Sequence, residues 1–489
     1  MRFRRGCGTI GTSQEASAPH PGAVRKPAAE VRQGHGQEVS RLIIIRNGVL
    51  ITPEGRKETS LAVDGGRIVR IGPVEPGPGD QVYDAAGCYV YPGFIDGHTH
   101  LDLEVAGTVT ADDFESGTRA AVCGGTTCVV DFATQYKGDT VLHALETWKK
   151  KAEGRSHANV AFHMAICDWN ERTRTDLAAL REAGVMSFKV YMAYDTALTD
   201  DQILEVLEAI KPLGGILGCH CENGALVTEL QRQQLATGHT APWAHPLSRP
   251  AEVEAEAINR FCYLGRLAGT PVNVVHLSTR LGLEEIRAAR RRGQTVYVET
   301  CPQYLLLDES RYREPGFEGA KYVCSPPLRT KEDIEALRLA VLQGEIDTIA
   351  TDHCSFRFRD QKQAGRDDFT KIPNGAPGIE HRPAVMMKIF GDDLDPAGYC
   401  RLMSENPAKL FGMYPRKGAL LEGSDADICV WDPNVSWTIR AESMQQNVDY
   451  TPYEGMAVSG RPRFVFVNGT LAAKDGMPTE AMAGRYVRR

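Results

Sequence analysis

Polar side chains that bind metals well stand at the ends of apolar runs in widely separated parts of this chain. The full set is His98, His100, Lys189, His220, His276 and Asp352. Apart from the first pair these residues are not neighbours in sequence, so only the fold can bring them together. A (β/α)8 barrel does so, because the carboxyl ends of its eight strands meet at one face.

Eight apolar, strand-like runs alternate with helical patterns through the middle of the chain. The runs span residues 93–98, 126–133, 160–166, 186–193, 216–221, 272–278, 295–301 and 347–352. Helical periodicity between them is clearest at residues 200–211, 251–268, 280–291 and 331–342. Nearly continuous apolar strands alternating with helices indicate a parallel sheet, and eight such units favour a closed barrel. The polar segment 354–382 then becomes a loop that overhangs the active face.

Both ends of the chain have a different, β-rich texture. Strand-like runs lie at residues 42–52, 60–72, 425–439 and 461–476. We predict an α/β protein in which a (β/α)8 TIM barrel, residues 93–414, carries a small β-sandwich domain built from residues 41–92 and 415–489. Residues 1–40 are rich in Ala, Gly, Pro, Gln and Arg without apolar periodicity, and this composition predicts a disordered leader.

Composition narrows the class of protein further. The chain has 489 residues, 42% of them hydrophobic, and a net charge of -7, so no basic surface is expected to bind nucleic acid. No run of 18 apolar residues occurs, which argues against a membrane partner. Thirteen scattered cysteines suit free thiols in a reducing cytoplasm better than a disulfide framework.

The candidate ligands divide by their place on the strands. His98 and His100 are two residues apart on an extended segment, so both imidazoles point to the same side. Together they would supply half of the ligands of a four-coordinate divalent metal site. His220 and His276 end apolar runs and precede polar residues, whereas His163 lies within a run and is predicted to be structural. Asp352 could bind metal and accept a proton, or could simply cap a helix; His353, facing away, is predicted to be structural.

Lys189 lies in the apolar run SFKVYMAY, where a charged and unpaired amine is costly. Burial would lower its pKa from about 10.4. A neutral amine reacts with carbon dioxide to give an anionic carbamate whose two oxygens could bridge two metal ions. A plain buried lysine paired with Asp352 is the alternative. The whole set indicates a metal-dependent hydrolase.

Several longer motifs carry a resemblance to a known family. They are GFIDGHTH, FKVYMAY, HCEN, VVHLS, YVCSPPLR, TDHCSF, FTKIPNGAPGIEHR and NVDYTPYEG. With them, residues 42–475 resemble the dihydropyrimidinase/D-hydantoinase family of the metal-dependent cyclic amidohydrolases. Allantoinases and dihydroorotases share the barrel and the histidines but resemble this chain less after the eighth strand.

The resemblance implies two divalent ions, usually zinc, and a homotetramer. His98, His100, carboxylated Lys189 and Asp352 would hold one ion, and Lys189, His220 and His276 the other. A metal-bridging hydroxide would open a cyclic ureide to an N-carbamoyl amino acid, with Asp352 as general base and acid. Tyr194 would donate its hydroxyl to the developing oxyanion. Ser325 and Asn374 match positions whose backbone groups hold the ureide edge of the ring.

Specificity and two alternative functions stay open. Val105, Tyr191 and Leu198 match positions that contact the ring substituent, and Tyr191 replaces a phenylalanine frequent in that family. None of the three is charged, which disfavours dihydroorotate. An allantoinase-like activity is one alternative. A non-catalytic scaffold on the same fold is the other, although all six ligand positions are filled.

Overall fold

The computed structural model describes residues 41–489, and the leader predicted over residues 1–40 lies outside them. The strands are β1 (Ile43–Thr52), β2 (Gly55–Asp64), β3 (Arg67–Ile71), β4 (Gln81–Asp84), β5 (Tyr89–Pro92), β6 (Phe94–Thr99), β7 (Glu104–Val105), β8 (Thr108–Val109), β9 (Thr126–Thr134), β10 (Asn159–Ala165), β11 (Ser187–Tyr191), β12 (Ile216–His220), β13 (Val272–Val274), β14 (Val296–Thr300), β15 (Thr348–Ile349), β16 (Ile428–Thr438), β17 (Ala457–Val467), β18 (Thr470–Lys474) and β19 (Met477–Pro478). The α-helices are α1 (Phe114–Cys123), α2 (Val141–Ala152), α3 (Glu171–Glu182), α4 (Asp200–Ile210), α5 (Gly224–Ala236), α6 (Ala251–Ala268), α7 (Arg280–Arg291), α8 (Lys331–Leu342), α9 (Arg382–Phe390), α10 (Pro396–Cys400) and α11 (Asn406–Leu410).

Eight parallel strands form a barrel, as predicted. Their order is β15-β14-β13-β12-β11-β10-β9-β6, and each of the eight predicted runs supplies one strand. The first and last strands are joined where the His100 N–H donates to the His353 carbonyl at 2.8 Å. Nearby, the Thr351 hydroxyl donates to Asp96 at 2.7 Å. The barrel prediction is therefore confirmed.

The predicted helices are stabilised at their ends by local hydrogen bonds. Thr330 and Asp333 form a reciprocal capping box at the start of α8, and the Thr279 side chain caps α7. Gly269, with a left-handed backbone, ends α6. Each cap satisfies backbone groups that a helix end leaves free. The helical periodicities predicted for α4, α6, α7 and α8 are all confirmed.

Strands from both chain ends form one nine-stranded sheet. Its order is β19-β18-β17-β16-β5-β1-β2-β3, with β4 paired to β1. The predicted run 60–72 divides into β2 and β3 at the Asp64-Gly65-Gly66 turn. A separate apolar core, including Leu61, Val90 and Phe466, packs in this region. The β-rich region made from both ends is confirmed, and its exact domain boundaries stay predictions.

Two further features of residues 41–489 bear on the sequence predictions. All twelve cysteines in this part of the chain are free and buried. None of its helices has both the length and the apolar character needed to cross a membrane.

Candidate metal centre and active site

All six candidate ligands lie toward the carboxyl end of the barrel. His98 is in β6, Lys189 is in β11 and His220 is the last residue of β12, while the other three follow β6, β13 and β15 closely. Their convergence reflects the parallel sheet, which directs every strand end to the same face. Their assignment as ligands stays a prediction, which the distances below support.

Donor atoms of these residues approach one another in two adjoining groups. Asp352 Oδ1 lies 3.1 Å from His98 Nε2 and 3.3 Å from His100 Nε2. Lys189 Nζ is 3.2 Å from the same His98 nitrogen. In the second group, His220 Nδ1 and His276 Nε2 are 3.1 Å apart. Atoms of His98, His276 and Asp352 that could bind one ion lie within 4.8 Å of one another, which links the groups.

These spacings fit divalent metal ions. Two ligands on one tetrahedral zinc ion, each bonded at about 2.0 Å, are about 3.3 Å apart. The His220–His276 and His100–Asp352 distances match that value. The second ring nitrogens of His100 and His276 are buried without a hydrogen-bond partner in the described part of the chain. Imidazole and carboxylate together form a donor set typical of zinc and related ions.

Three residues of this region have left-handed backbones that are uncommon outside glycine. The φ angles are 70° at Tyr194, 41° at His276 and 50° at Asp352. Such conformations cost about 1–3 kcal/mol each and cluster at functional sites. Here they turn the chain sharply just beyond the strand ends.

The charges around Asp352 favour an anionic carboxylate. Burial alone would raise its pKa, but the imidazoles of His98 and His100 hold the pKa of Asp352 well below its usual value. Burial and Lys189 oppose protonation of His98, yet the carboxylates of Asp352 and Glu299 raise the pKa of that imidazole. Burial lowers the pKa of His220 and of His276, which favours the neutral imidazoles that metals require.

Lys189 is buried without a direct anionic partner. Only 2% of the residue is exposed, and within residues 41–489 no carboxylate oxygen lies within 4.0 Å of its Nζ. The alternative pairing with Asp352 is therefore not formed. Its amine lies 4.7 Å from the centroid of the Phe132 ring, and burial lowers the pKa of Lys189. These surroundings favour a neutral amine, the form that carbon dioxide modifies.

Two carboxylates that the sequence reasoning missed orient the histidines. Glu299 in β14 accepts from His98 Nδ1 at 2.7 Å, and Glu222 contacts His220 Nε2 at 2.8 Å. Arg249 pairs with Glu222 in turn. Carboxylates in this position direct the other ring nitrogen toward a metal. Their one sequence signal is an acidic residue within or directly after an apolar run.

Tyr194 lies at the mouth of the site. Its ring centroid is 5.2 Å from that of His220, and the Arg249 guanidinium carbon is 5.3 Å from its ring. Although 45% of the residue is exposed, loss of solvation raises the pKa of Tyr194 against the opposing effect of Arg249. The phenol therefore carries its proton at neutral pH.

Ser325 and Asn374 are half-buried residues on loops after β14 and β15. In the described chain their backbone groups make no internal hydrogen bond, whereas neighbouring groups do. The Cys324 carbonyl accepts from His245 at 2.8 Å, and the Pro326 carbonyl accepts from Tyr304 at 2.7 Å. This arrangement leaves the Ser325 and Asn374 backbones available to a ligand.

The three residues predicted to contact a ring substituent differ in exposure. Val105 is 40% exposed on the β7–β8 hairpin. Tyr191 and Leu198 are adjacent, because the Leu198 N–H donates to the Tyr191 carbonyl at 3.0 Å. Leu198 is only 7% exposed and packs with the barrel core. Tyr191 and Val105 are thus the more accessible members of this set.

The two histidines excluded from the site have structural partners. His163 contacts the Ser187 hydroxyl at 2.6 Å and the Gly97 carbonyl at 2.9 Å. His353 contacts Asp112 at 3.1 Å and accepts from the Gly378 N–H at 3.1 Å. In each histidine both ring nitrogens have a hydrogen-bond partner within the protein, which agrees with the structural roles predicted for them.

Comparison with known proteins decides the family. The model of the amidohydrolase family matches residues 89–472. The chain belongs to this family. The match covers the whole barrel with its six candidate ligands, together with β5, β16 and β17 of the nine-stranded sheet.

Individual relatives of this amidohydrolase share most of its length. The D-hydantoinase of Geobacillus stearothermophilus is 44% identical over 455 residues, which are 91% of this chain and 96% of the relative. A D-hydantoinase of Streptomyces coelicolor is 41% identical, over 88% of this chain and 94% of its own. The crystal structure of dihydropyrimidinase from Brevibacillus agri has a TM-score of 0.90 at 41% identity, covering 92% of this chain and 98% of that one.

Metal content provides a direct test of the centre. We expect the purified amidohydrolase to carry about two divalent ions per chain, and chelation to abolish its activity, because the candidate ligand atoms lie at spacings that suit bound cations. His276→Ala should bind fewer than two divalent ions per chain, as measured by elemental analysis. His143→Ala should keep both ions, since that exposed imidazole pairs with Asp139 away from the site. Active protein without stoichiometric metal would contradict the assignment.

Proposed function

We propose that this amidohydrolase opens the rings of hydantoins and 5,6-dihydropyrimidines to give N-carbamoyl amino acids. The observation that carries the proposal is the convergence of six metal-type ligands at one end of the barrel. The free backbone groups of Ser325 and Asn374 support it, because a cyclic ureide presents a matching row of N–H and C=O groups. The names of the relatives, D-hydantoinase and dihydropyrimidinase, support the same substrate class.

Two divalent ions, with zinc as the preferred metal, belong to this proposal. One would be held by His98, His100, carboxylated Lys189 and Asp352, and the other by Lys189, His220 and His276. Bound ions of this kind lower the pKa of water and polarise a carbonyl group. Glu299 and Glu222 would keep His98 and His220 in the orientation that binding needs.

Asp352 is proposed to move the proton. Its carboxylate is held anionic by His98 and His100, so it can accept a proton from the attacking water. It would then give that proton to the departing ring nitrogen as the C–N bond breaks. Asp352 Oδ1 lies 3.1 Å from His98 Nε2 and 3.3 Å from His100 Nε2, so the acid–base group lies within the proposed ligand cluster.

Tyr194 is proposed to stabilise the negative charge that develops on the ring oxygen. Its protonated phenol lies near His220 at the mouth and can donate one hydrogen bond. A single donor of this type contributes about 3–4 kcal/mol to a transition state. Arg249, beside the Tyr194 ring, would add favourable positive potential.

Ser325 and Asn374 are proposed to hold the ureide edge through their backbones. The ring substituent would then face Val105 and Tyr191, with Leu198 behind them. These side chains are apolar or aromatic, which favours uncharged substituents over a carboxylate. We also propose a homotetramer, as the family resemblance implies, and a reducing cytoplasm, which the twelve free buried cysteines support.

Turnover of a substrate panel tests the proposed function. We expect hydantoin, a 5-aryl hydantoin and dihydrouracil to be opened, with the N-carbamoyl amino acids identified by product mass. Dihydroorotate should react poorly, because no charged partner for its carboxylate is found among Val105, Tyr191 and Leu198. Turnover of allantoin or dihydroorotate alone would overturn the substrate class but leave the metal centre. Absence of turnover with the full metal complement would favour a non-catalytic scaffold.

A further inference from the structure

Lys362 is a fully buried lysine outside the metal centre. It lies in the loop after β15 and is 0% exposed. Its Nζ donates to three backbone carbonyls, those of Gly375 at 2.7 Å, Val323 at 2.8 Å and Pro373 at 3.0 Å. In the part of the chain that the structure describes, no carboxylate oxygen lies within 4.0 Å of this amine. Carbonyl oxygens are therefore its hydrogen-bond partners.

These three carbonyls flank the two positions proposed to hold the substrate. Val323 precedes Ser325 by two residues, and Pro373 and Gly375 enclose Asn374. The Gly375 N–H also donates to the Val323 carbonyl at 3.0 Å. The amine therefore ties the loop after β14 to the loop after β15, next to the Ser325 and Asn374 backbone groups that are proposed to bind the substrate.

Close packing at this junction requires a glycine. Gly375 has a φ of 152°, and a Cβ there would collide with the Cys354 carbonyl oxygen. This approach lies within the loop after β15 and fixes the position of Gly375 there. The contacts that join this loop to the loop after β14 are the hydrogen bonds from Lys362 and from the Gly375 N–H to the Val323 carbonyl, so we expect the spacing between the Ser325 and Asn374 backbones to depend on them.

Three carbonyl acceptors require three donors, which only the ammonium form of lysine supplies. Burial lowers the pKa of Lys362 to about 7, whereas these hydrogen bonds stabilise the charged form. The Pro373 carbonyl belongs to the same peptide group as the Asn374 N–H. Hydrogen bonding to this carbonyl polarises the peptide and makes the N–H a stronger donor, an effect of about 10–30% per bond.

We propose that Lys362 is a positioning residue for substrate binding, which holds the Ser325 and Asn374 backbones at the spacing of a ureide edge and strengthens the Asn374 N–H as a donor. This inference rests on the proposed function and deepens it. Lys362 acts through the backbone and needs no contact with the ring. Its contribution should therefore appear in substrate affinity more than in the chemical step.

Steady-state kinetics of Lys362→Met in the metal-loaded enzyme test the proposal. Methionine keeps the length of the side chain but donates no hydrogen bond. We expect KM for hydantoin or dihydrouracil to rise about tenfold, while kcat changes less than about threefold and metal content stays at the wild-type value. Lys362→Gln, which retains an N–H donor group, should fall between Lys362→Met and the wild type, and decides the test if the methionine variant does not fold.

A second buried lysine provides the matched control. Lys417 is 3% exposed and pairs with Asp425 at 3.0 Å and Asp427 at 2.5 Å in the β-rich region. Lys417→Met should lower thermal stability yet leave KM unchanged. An unchanged KM in Lys362→Met, or an equal rise in Lys417→Met, would overturn the inference. No turnover by the wild type would instead count against the proposed function.

Discussion

Replacement of Lys189 by alanine is expected to leave the enzyme almost inactive. The residue is central to the ligand cluster, with its Nζ 3.2 Å from His98 Nε2, and it is proposed to serve both ions. Loss of a carboxylate that merely orients a ligand lowers metal affinity or activity by about 10–100-fold. Loss of a ligand that both ions share should therefore reduce kcat by more than about 10²-fold. Elemental analysis should show reduced metal content in the same preparation.

Chemical rescue separates the carbamate from a simple amine at this position. Short carboxylates such as acetate or propionate should partly restore the activity of Lys189→Ala, because they supply two oxygens where the carbamate is missing. The wild type in the same buffers should gain nothing. Lys189→Arg should not substitute, since a guanidinium stays cationic and repels the ions. An unmodified amine beside two bound metals in a crystal structure would disprove the carbamate.

The Asp352→Asn variant is expected to lose nearly all turnover as well. The amide keeps the size of the side chain but cannot accept and return a proton. General acid–base catalysis of this kind typically raises the reaction rate by about 10²–10⁴-fold. It also weakens one metal position, because Asp352 Oδ1 lies beside both His98 and His100. Single-turnover measurements in excess metal would isolate the loss in the chemical step. Near wild-type turnover would exclude Asp352 as the proton carrier.

Tyr194→Phe is the matched control for Asp352→Asn. It removes one hydroxyl at the mouth and no candidate ligand, so metal content should stay at the wild-type value. The loss of one oxyanion donor should lower kcat by roughly 10²–10³-fold. If Tyr194→Phe retains full turnover, the ring is a packing residue against His220 and its proposed role is wrong.

The barrel could be predicted because its signals are local. Strands β6, β9 and β11 are short apolar runs, and α7 and α8 show helical periodicity with capping residues directly before them. Side-chain periodicity and capping act over a few residues, so they can be read without knowledge of distant contacts. The count of eight then implied a closed sheet and, with it, one face where the six ligand candidates meet.

The amino-acid sequence by itself thus determined the architecture, the face that carries the site and the candidate ligands. Only the tertiary structure decided which groups support them. Glu299 meets His98 across 201 positions of sequence, and Lys362 joins two loops through backbone carbonyls. Such contacts depend on the closure of the barrel and the path of its loops, and backbone acceptors have no side-chain signature. For that physical reason the sequence offered only an acidic residue in an apolar run for Glu299, without its partner, and no pattern at all for the role of Lys362.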